Sequence, residues 1–256
     1  MSKQQVQSIF GASADAYVTS KVHAKGASLN RVVELAAPQL HWQVLDVATG
    51  AGHMAFSLAP YVQQVVATDI TPQMLERTAV GAQERGLRNV VVETADAENL
   101  PFPAACFDLV TCRIAAHHFP AVDRFVAEAA RVLKPGGLLV VVDNVVPGSH
   151  LRGKKANLQR EAGRYVNAFE KLRDPSHGRC LSLDEWAEQF RRAGLALVHQ
   201  EALRKEMDFA SWTDRLHVAP ATRLRLQVML LQAPTAVSQF LTPTHTGDRI
   251  AFYLTE

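Results

Sequence analysis

A nine-residue stretch, Val44-Leu45-Asp46-Val47-Ala48-Thr49-Gly50-Ala51-Gly52, constrains this chain more than any other. Val44, Leu45 and Val47 form an apolar, β-branched run with no helical spacing, which predicts a short strand covered on both faces. The strand runs into a glycine turn and then a helix over Met54 to Ala59. Gly50 and Gly52 let the backbone turn sharply and approach a ligand with no Cβ in the way. The helix that follows presents unpaired N–H groups and the positive end of its dipole to whatever sits over the turn. The three pieces read as a small-molecule cradle, although a strand, turn and helix also occur together with no ligand.

Gly50-Ala51-Gly52-His53-Met54-Ala55 fits the G-x-G-x-x-G/A dinucleotide pattern, so NAD(P) enters as one ligand. Asp46, at the strand end beside the turn, argues for another. A carboxylate there would repel a pyrophosphate and suit a ligand that carries an ammonium group. D-x-A-x-G-x-G resembles the first motif of class I S-adenosylmethionine-dependent methyltransferases, whose cofactor is a zwitterionic amino acid with a sulfonium centre and no phosphate.

Composition narrows the classes. The chain of 256 residues is 48% apolar, ample for a core and far from disorder. Its 27 basic and 25 acidic side chains leave a formal charge of +2, so no nucleic-acid partner is expected. Cys106, Cys112 and Cys180 are scattered, with no C-x-x-C pair, which points to a reducing, cytoplasmic setting. No apolar leader opens the chain and no window approaches about eighteen uninterrupted apolar residues, so neither secretion nor a membrane span is expected. No clustered His, Cys and Asp spacing suggests a metal.

In order along the chain, residues 3 to 18 form a short helical lead, and Leu29, Val32, Val33, Ala36 and Leu40 recur at helical spacing. Val62 to Thr68 is a second strand ending at Asp69. Pro72 to Arg85 is a helix, with proline in its first turn and Gly86 at its end. Strands follow at Val90 to Thr94 and Phe107 to Cys112, then a helix over Val122 to Leu133, a Lys134-Pro135-Gly136-Gly137 turn and a fifth strand, Leu138 to Val142. Such alternation predicts a parallel sheet with helices on both faces and ligands beyond the carboxyl ends of its strands. Further on, Leu151 to Leu172 reads as an amphipathic helix. Ser182 and Glu185 form a capping box that opens a helix through Arg192. Leu195 to Leu203 reads as a sixth strand, Phe209 to Phe240 as short helices broken at Pro220 and Pro234, and Ile250 to Leu254 as a seventh strand.

The ordered set L-D-V-A-T-G-A-G, V-V-A-T-D-I-T-P-Q-M-L, A-D-A-E-N-L-P-F with F-D-L-V, and R-V-L-K-P-G-G-L-L-V-V-V-D resembles the type 11 branch of these methyltransferases, close to the ubiquinone and menaquinone biosynthesis C-methyltransferases. It covers roughly the first 147 residues; the remainder is only loosely family-like. The resemblance implies an α/β, Rossmann-like fold: a seven-stranded, mostly parallel sheet with helices on both faces and the last strand antiparallel. One domain over 1–256 is expected, divided into a helical lead at 1–40, a cofactor-binding core at 43–147, and substrate-side helices with the last two strands at 148–256.

An acidic group at the second strand end can accept both ribose hydroxyls, which assigns Asp69. The resemblance places Asp96 on the adenine amino group and the Ala97 N–H on a ring nitrogen, with Ile70 and Met74 against the adenine faces. Asp46, Ala48, Thr49, Gly50 and Gly52 would hold the methionyl end, with backbone atoms of Arg113 or Ala115 opposite. Tyr17, by resemblance, closes over the cofactor, and Ser20, His23 and Gly26 resemble the pre-sheet segment of the family.

His117 and His118 follow the fourth strand, where methyl donor and acceptor should meet. Either could act as general base, position the cofactor or anchor the next helix. Cys112 reads as a buried, inert strand cysteine. Phe169, Trp186, Trp212, Met229 and Phe240 supply apolar bulk to a substrate pocket or to ordinary core, and Arg152, Lys154, Lys155 and Arg160 read as a solvated helix face.

The expected activity is methyl transfer from S-adenosylmethionine, with S-adenosylhomocysteine as product, to a small-molecule acceptor. An NAD(P)-dependent oxidoreductase, an RNA methyltransferase and a non-catalytic S-adenosylmethionine-binding protein are the alternatives. A homodimer is left open.

Overall fold

The computed structural model describes residues 2–19 and 26–256; Ser20 and His23 lie outside the described residues, as does the side chain of Tyr17. The chain divides into two compact units, Ser2–Asp143 and Asn144–Glu256.

The first unit is built on five parallel strands: β1 (Gln43–Val47), β2 (Gln64–Asp69), β3 (Val90–Thr94), β4 (Phe107–Arg113) and β5 (Leu133–Val142), in the order β3-β2-β1-β4-β5. Helices α1 (Lys3–Thr19), α2 (Ala27–Ala36), α3 (His53–Leu58), α4 (Pro72–Glu84) and α5 (Val122–Val132) surround it. The alternation of strand and helix leaves parallel strands no short way to pair, so each connection crosses over. Val44, Val65, Ala67 and Leu109 are fully buried in the sheet, and Leu29, Val32, Met54, Ala55 and Leu58 pack against them. The Lys134 to Gly137 segment, expected as a turn, is a bulge inside β5: Phe107 pairs with Leu133 and Leu109 with Leu138. Two residues of β4 therefore span what takes five in β5, and Gly136, at φ 79°, takes the left-handed bend.

Expecting one seven-stranded sheet was wrong. The second unit has its own antiparallel sheet, ordered β6-β8-β7, formed by β6 (Arg204–Asp208), β7 (Thr244–Thr246) and β8 (Arg249–Thr255). The sixth strand is not Leu195 to Leu203, which lies in no strand and leaves Val198 82% exposed. The polar run Arg204-Lys205-Glu206-Met207-Asp208 pairs with β8 instead, because that register sets buried Met207 opposite buried Phe252. Periodicity reports a pleated surface, not which segment finds a partner.

Helices α6 (Lys154–Arg173), α7 (Leu183–Arg192), α8 (Phe209–Asp214), α9 (Pro220–Leu231) and α10 (Thr235–Leu241) complete this unit. The capping box forms as expected, with Ser182 Oγ accepting from the Glu185 N–H and Glu185 accepting from the Ser182 N–H. Phe169 stacks on Trp212 at 5.0 Å, and Phe252 meets both rings edge-on. Phe169 and Trp212 thus form the centre of this unit's core, with Met229 and Phe240 packed around it. Trp186 stacks on Phe190.

Candidate functional site

In the first unit, acids stand at three successive strand ends. Asp46 is the penultimate residue of β1, Asp69 closes β2, and Asp96 follows β3; Arg113 closes β4. Strand order reverses between β1 and β4, which opens a crevice beyond their carboxyl ends. A cavity of about 1030 Å³, its open mouth included, occupies that place. Asp46, Ala48, Thr49, Gly50, Asp69, Ile70 and Met74 line it, together with Asp96, Ala97, Arg113 and His118. Gly52 and His117 do not.

The glycine loop is held from three sides. The Gly50 N–H donates to Asp69 Oδ2 at 3.0 Å, the Thr78 hydroxyl donates to the Gly50 carbonyl at 2.8 Å, and the Thr49 N–H donates to the Thr68 carbonyl at 2.8 Å. Both glycines need the left-handed region, Gly50 at φ 58° and Gly52 at φ 83°. Their surroundings differ. A Cβ on Gly50 would meet nothing within 4 Å, whereas one on Gly52 would stand 2.5 Å from Phe56 Cζ. Gly50 keeps the cradle open, and Gly52 makes room for packing beneath it.

Asp46 is 1% exposed. The Thr49 hydroxyl donates to its Oδ2 at 2.6 Å and the Thr111 hydroxyl to its Oδ1 at 2.7 Å. Burial pushes the carboxyl up to about 6, against the opposing pull of the two threonines and the Arg113 guanidinium. Asp69 is likewise raised by burial, while N–H bonds from Thr71 (2.8 Å) and Gly50 (3.0 Å) hold it back. Each Asp69 oxygen retains acceptor capacity, so the group can take two further hydroxyls. Arg113 Nε donates to the Ser28 hydroxyl at 3.0 Å.

After β4 the backbone is strained. Ile114 sits at φ 53°, an unfavourable place for a β-branched side chain, and its N–H donates to the Val142 carbonyl at 2.7 Å. The turn that follows, Ala116–His118, sends its two histidines different ways. His117 Nδ1 lies 2.5 Å from Asp143 Oδ1 in a buried pair, and Asp143 Oδ2 has no partner among the described residues. His118 faces the cavity, its ring 4.1 Å from that of His117 and edge-on to Phe10 at 4.9 Å.

Sequence reasoning missed Lys3, Phe10 and Glu98, which also line the cavity. Lys3 Nζ bonds Asp96 Oδ2 at 2.6 Å across 93 positions of sequence, a separation that no local pattern signals. Thr111, one of the two hydroxyls on Asp46, was read only as part of a strand. Among the described residues, no cluster of His, Cys, Asp and Glu could hold a metal, and no helix is long and apolar enough to cross a membrane.

Comparison with known proteins places this geometry. The family described as methyltransferase domain matches residues 45–141. The uncharacterized methyltransferase YcgJ of Bacillus subtilis is 38% identical over 206 residues, 80% of this chain and 78% of that protein. Its crystal structure superposes with a TM-score of 0.79 at 32% identity, covering 89% of this chain and 96% of the other. The uncharacterized protein YafE of Escherichia coli is 31% identical over 77% of this chain and 90% of its own. A demethylmenaquinone methyltransferase of Deinococcus radiodurans is 43% identical over 43% of this chain and 46% of its own.

Proposed function

The chain belongs to the class I S-adenosylmethionine-dependent methyltransferases of the type 11 branch, and from that premise we propose that it transfers a methyl group to a small-molecule acceptor. The observation that carries the reading is the set of buried acids around an open glycine loop. Asp46, at the end of β1, accepts from the Thr49 hydroxyl of that loop and lines the same cavity, where a pyrophosphate would meet a carboxylate. A zwitterion suits the same place, because Asp46 offers a negative group and Arg113 a positive one on one cavity wall.

The residues fit the cofactor along its length. Asp46 would hold the ammonium group, Arg113 the carboxylate, Asp69 the ribose hydroxyls and Asp96 the adenine amino group, with Ile70 and Met74 against the ring. When bound, S-adenosylmethionine supplies an electrophilic methyl group on a sulfonium sulfur. The protein's own work is then alignment and exclusion of water.

Orientation supports different roles for the two histidines. His117, its Nδ1–H donated to a carboxylate, would fix the turn, and His118, on the cavity wall, would take a proton from the acceptor. A small-molecule acceptor is supported by the near-neutral charge and by the partial match to a demethylmenaquinone methyltransferase.

Calorimetric titration with S-adenosylhomocysteine, NAD⁺ and NADP⁺ tests the reading. Binding of S-adenosylhomocysteine alone, at micromolar concentration or below, is the expected result. Binding of a nicotinamide nucleotide in its place would refute it.

A further inference from the structure

Helix α1 touches the cavity along one face. Lys3, Val6 and Phe10, spaced by three and four residues, all line it. Lys3 Nζ pairs with Asp96 Oδ2 and with Glu98 Oε2, each at 2.6 Å. Gln7 Nε2 donates to the Ile70 carbonyl at 2.8 Å, and Phe10 meets the His118 ring edge-on. These contacts fall on groups assigned above to the adenine end, the ring face and the methyl end, so the helix follows the cavity from one end to the other.

Beyond these contacts, α1 packs on α4. Of the α1 side chains described, Ala14 alone is buried, whereas the shorter α2 buries Ser28, Leu29, Val32 and Ala36. A helix whose described side chains are so seldom buried opens at lower cost than the core strands. The acids beneath Lys3 are fixed independently of it: Glu98 Oε1 accepts from the Ala121 N–H at 2.6 Å, and Asp96 Oδ1 from the Glu98 N–H at 3.0 Å. Lys3 is therefore the moving half of a charge pair whose other half is preset. Burial opposes its charge, but the bonds to Asp96 and Glu98 outweigh that and raise its pKa, so the ammonium persists.

We propose that Lys3 is an electrostatic latch that holds α1 along the cofactor cavity, so that cofactor and product exchange only when its ion pairs with Asp96 and Glu98 open. The proposal rests on the S-adenosylmethionine reading of the cavity. Opening the latch clears the same path in both directions, so entry and exit both become faster. A residue that merely contacted the ligand would slow exit alone.

The experiment measures association and dissociation of S-adenosylhomocysteine on the immobilised full chain, for wild type, Lys3→Met and Lys3→Arg, from low to high KCl. In Lys3→Met the association rate constant rises about fivefold, the scale of a partly exposed ion pair, and dissociation rises with it. Wild-type rates climb toward those of the variant as salt screens the pair, while Lys3→Met is nearly flat. Lys3→Arg behaves as wild type. Unchanged rates in Lys3→Met, or a rise in dissociation alone, would overturn the latch and leave the cofactor reading intact. No binding of S-adenosylhomocysteine to wild type would overturn the cofactor reading and the latch with it.

Discussion

Alanine at Gly50 and alanine at Gly52 should harm this protein in opposite ways. Both glycines hold positive φ, 58° and 83°, so each substitution costs about 1 kcal/mol in backbone strain. The space around them then decides. At Gly50, which lines the cavity, the new methyl meets no protein atom within 4 Å, so its cost falls on a ligand lying against the loop. At Gly52 it would lie 2.5 Å from Phe56 Cζ and 2.8 Å from Thr78 Cγ2, inside the unit. Overpacking of that kind adds about 1–3 kcal/mol, for a total of roughly 2–4 kcal/mol. At roughly 3 °C per kcal/mol, thermal melting falls by about 6–12 °C in Gly52→Ala and about 3 °C in Gly50→Ala.

Affinity for S-adenosylhomocysteine, read by calorimetry below both transitions, reverses the order. Gly50→Ala loses at least about tenfold, equivalent to about 1.4 kcal/mol of steric intrusion. Gly52→Ala loses about threefold, because displacing Thr78 disturbs its bond to the Gly50 carbonyl. Wild-type affinity in Gly50→Ala would show that the open side of the loop is not where the ligand lies. Wild-type melting in Gly52→Ala would refute the packing argument.

Asp69→Asn keeps the shape of the group but removes its charge and one acceptor, so S-adenosylhomocysteine binding should weaken at least about 30-fold, the scale of bonds to a charged group; unchanged affinity would sink the ribose assignment. Asp46 is held up at about 6 by burial, and a bound ammonium group favours its ionised form. Affinity should therefore be flat above about pH 6 and fall by up to about tenfold per unit below it, whereas a flat titration from pH 5 to 8 would separate Asp46 from the ligand. The same raised value has the opposite sign for folding: the folded chain binds the proton more tightly than the unfolded one, so this group's contribution to stability declines as pH rises from the ordinary carboxyl value of 3.8 to about 6. In single-turnover methyl transfer, once an acceptor is in hand, His118→Ala should slow the chemical step by about 100-fold or more while cofactor affinity changes little. His117→Ala should mainly lower the melting temperature, and the reverse pattern would exchange the two roles.

The sequence by itself determined the parallel core. Strands β1 to β4 fall within two residues of where apolar runs and their punctuation put them, because strand and turn preferences act over a few neighbouring residues. The capping box at Ser182 was legible for the same reason. Asp46, Asp69 and Asp96 could be singled out because, once parallel strands are granted, the residues at their carboxyl ends share one edge. Tertiary structure alone decided the rest. The polar β6 became a strand only because β8 was there to pair with it, while the more strand-like Leu195 to Leu203 run forms no strand and meets the chain end only at Leu203, which exchanges backbone bonds with Glu256. Lys3 reached Asp96 and Glu98, Thr111 reached Asp46, and Asp143 reached His117 across separations at which sequence spacing carries no geometric information. Two adjacent histidines were indistinguishable as letters. The turn that carries them buried one on a carboxylate and left the other on the cavity wall, since side-chain direction follows from backbone dihedrals fixed by packing around the whole unit.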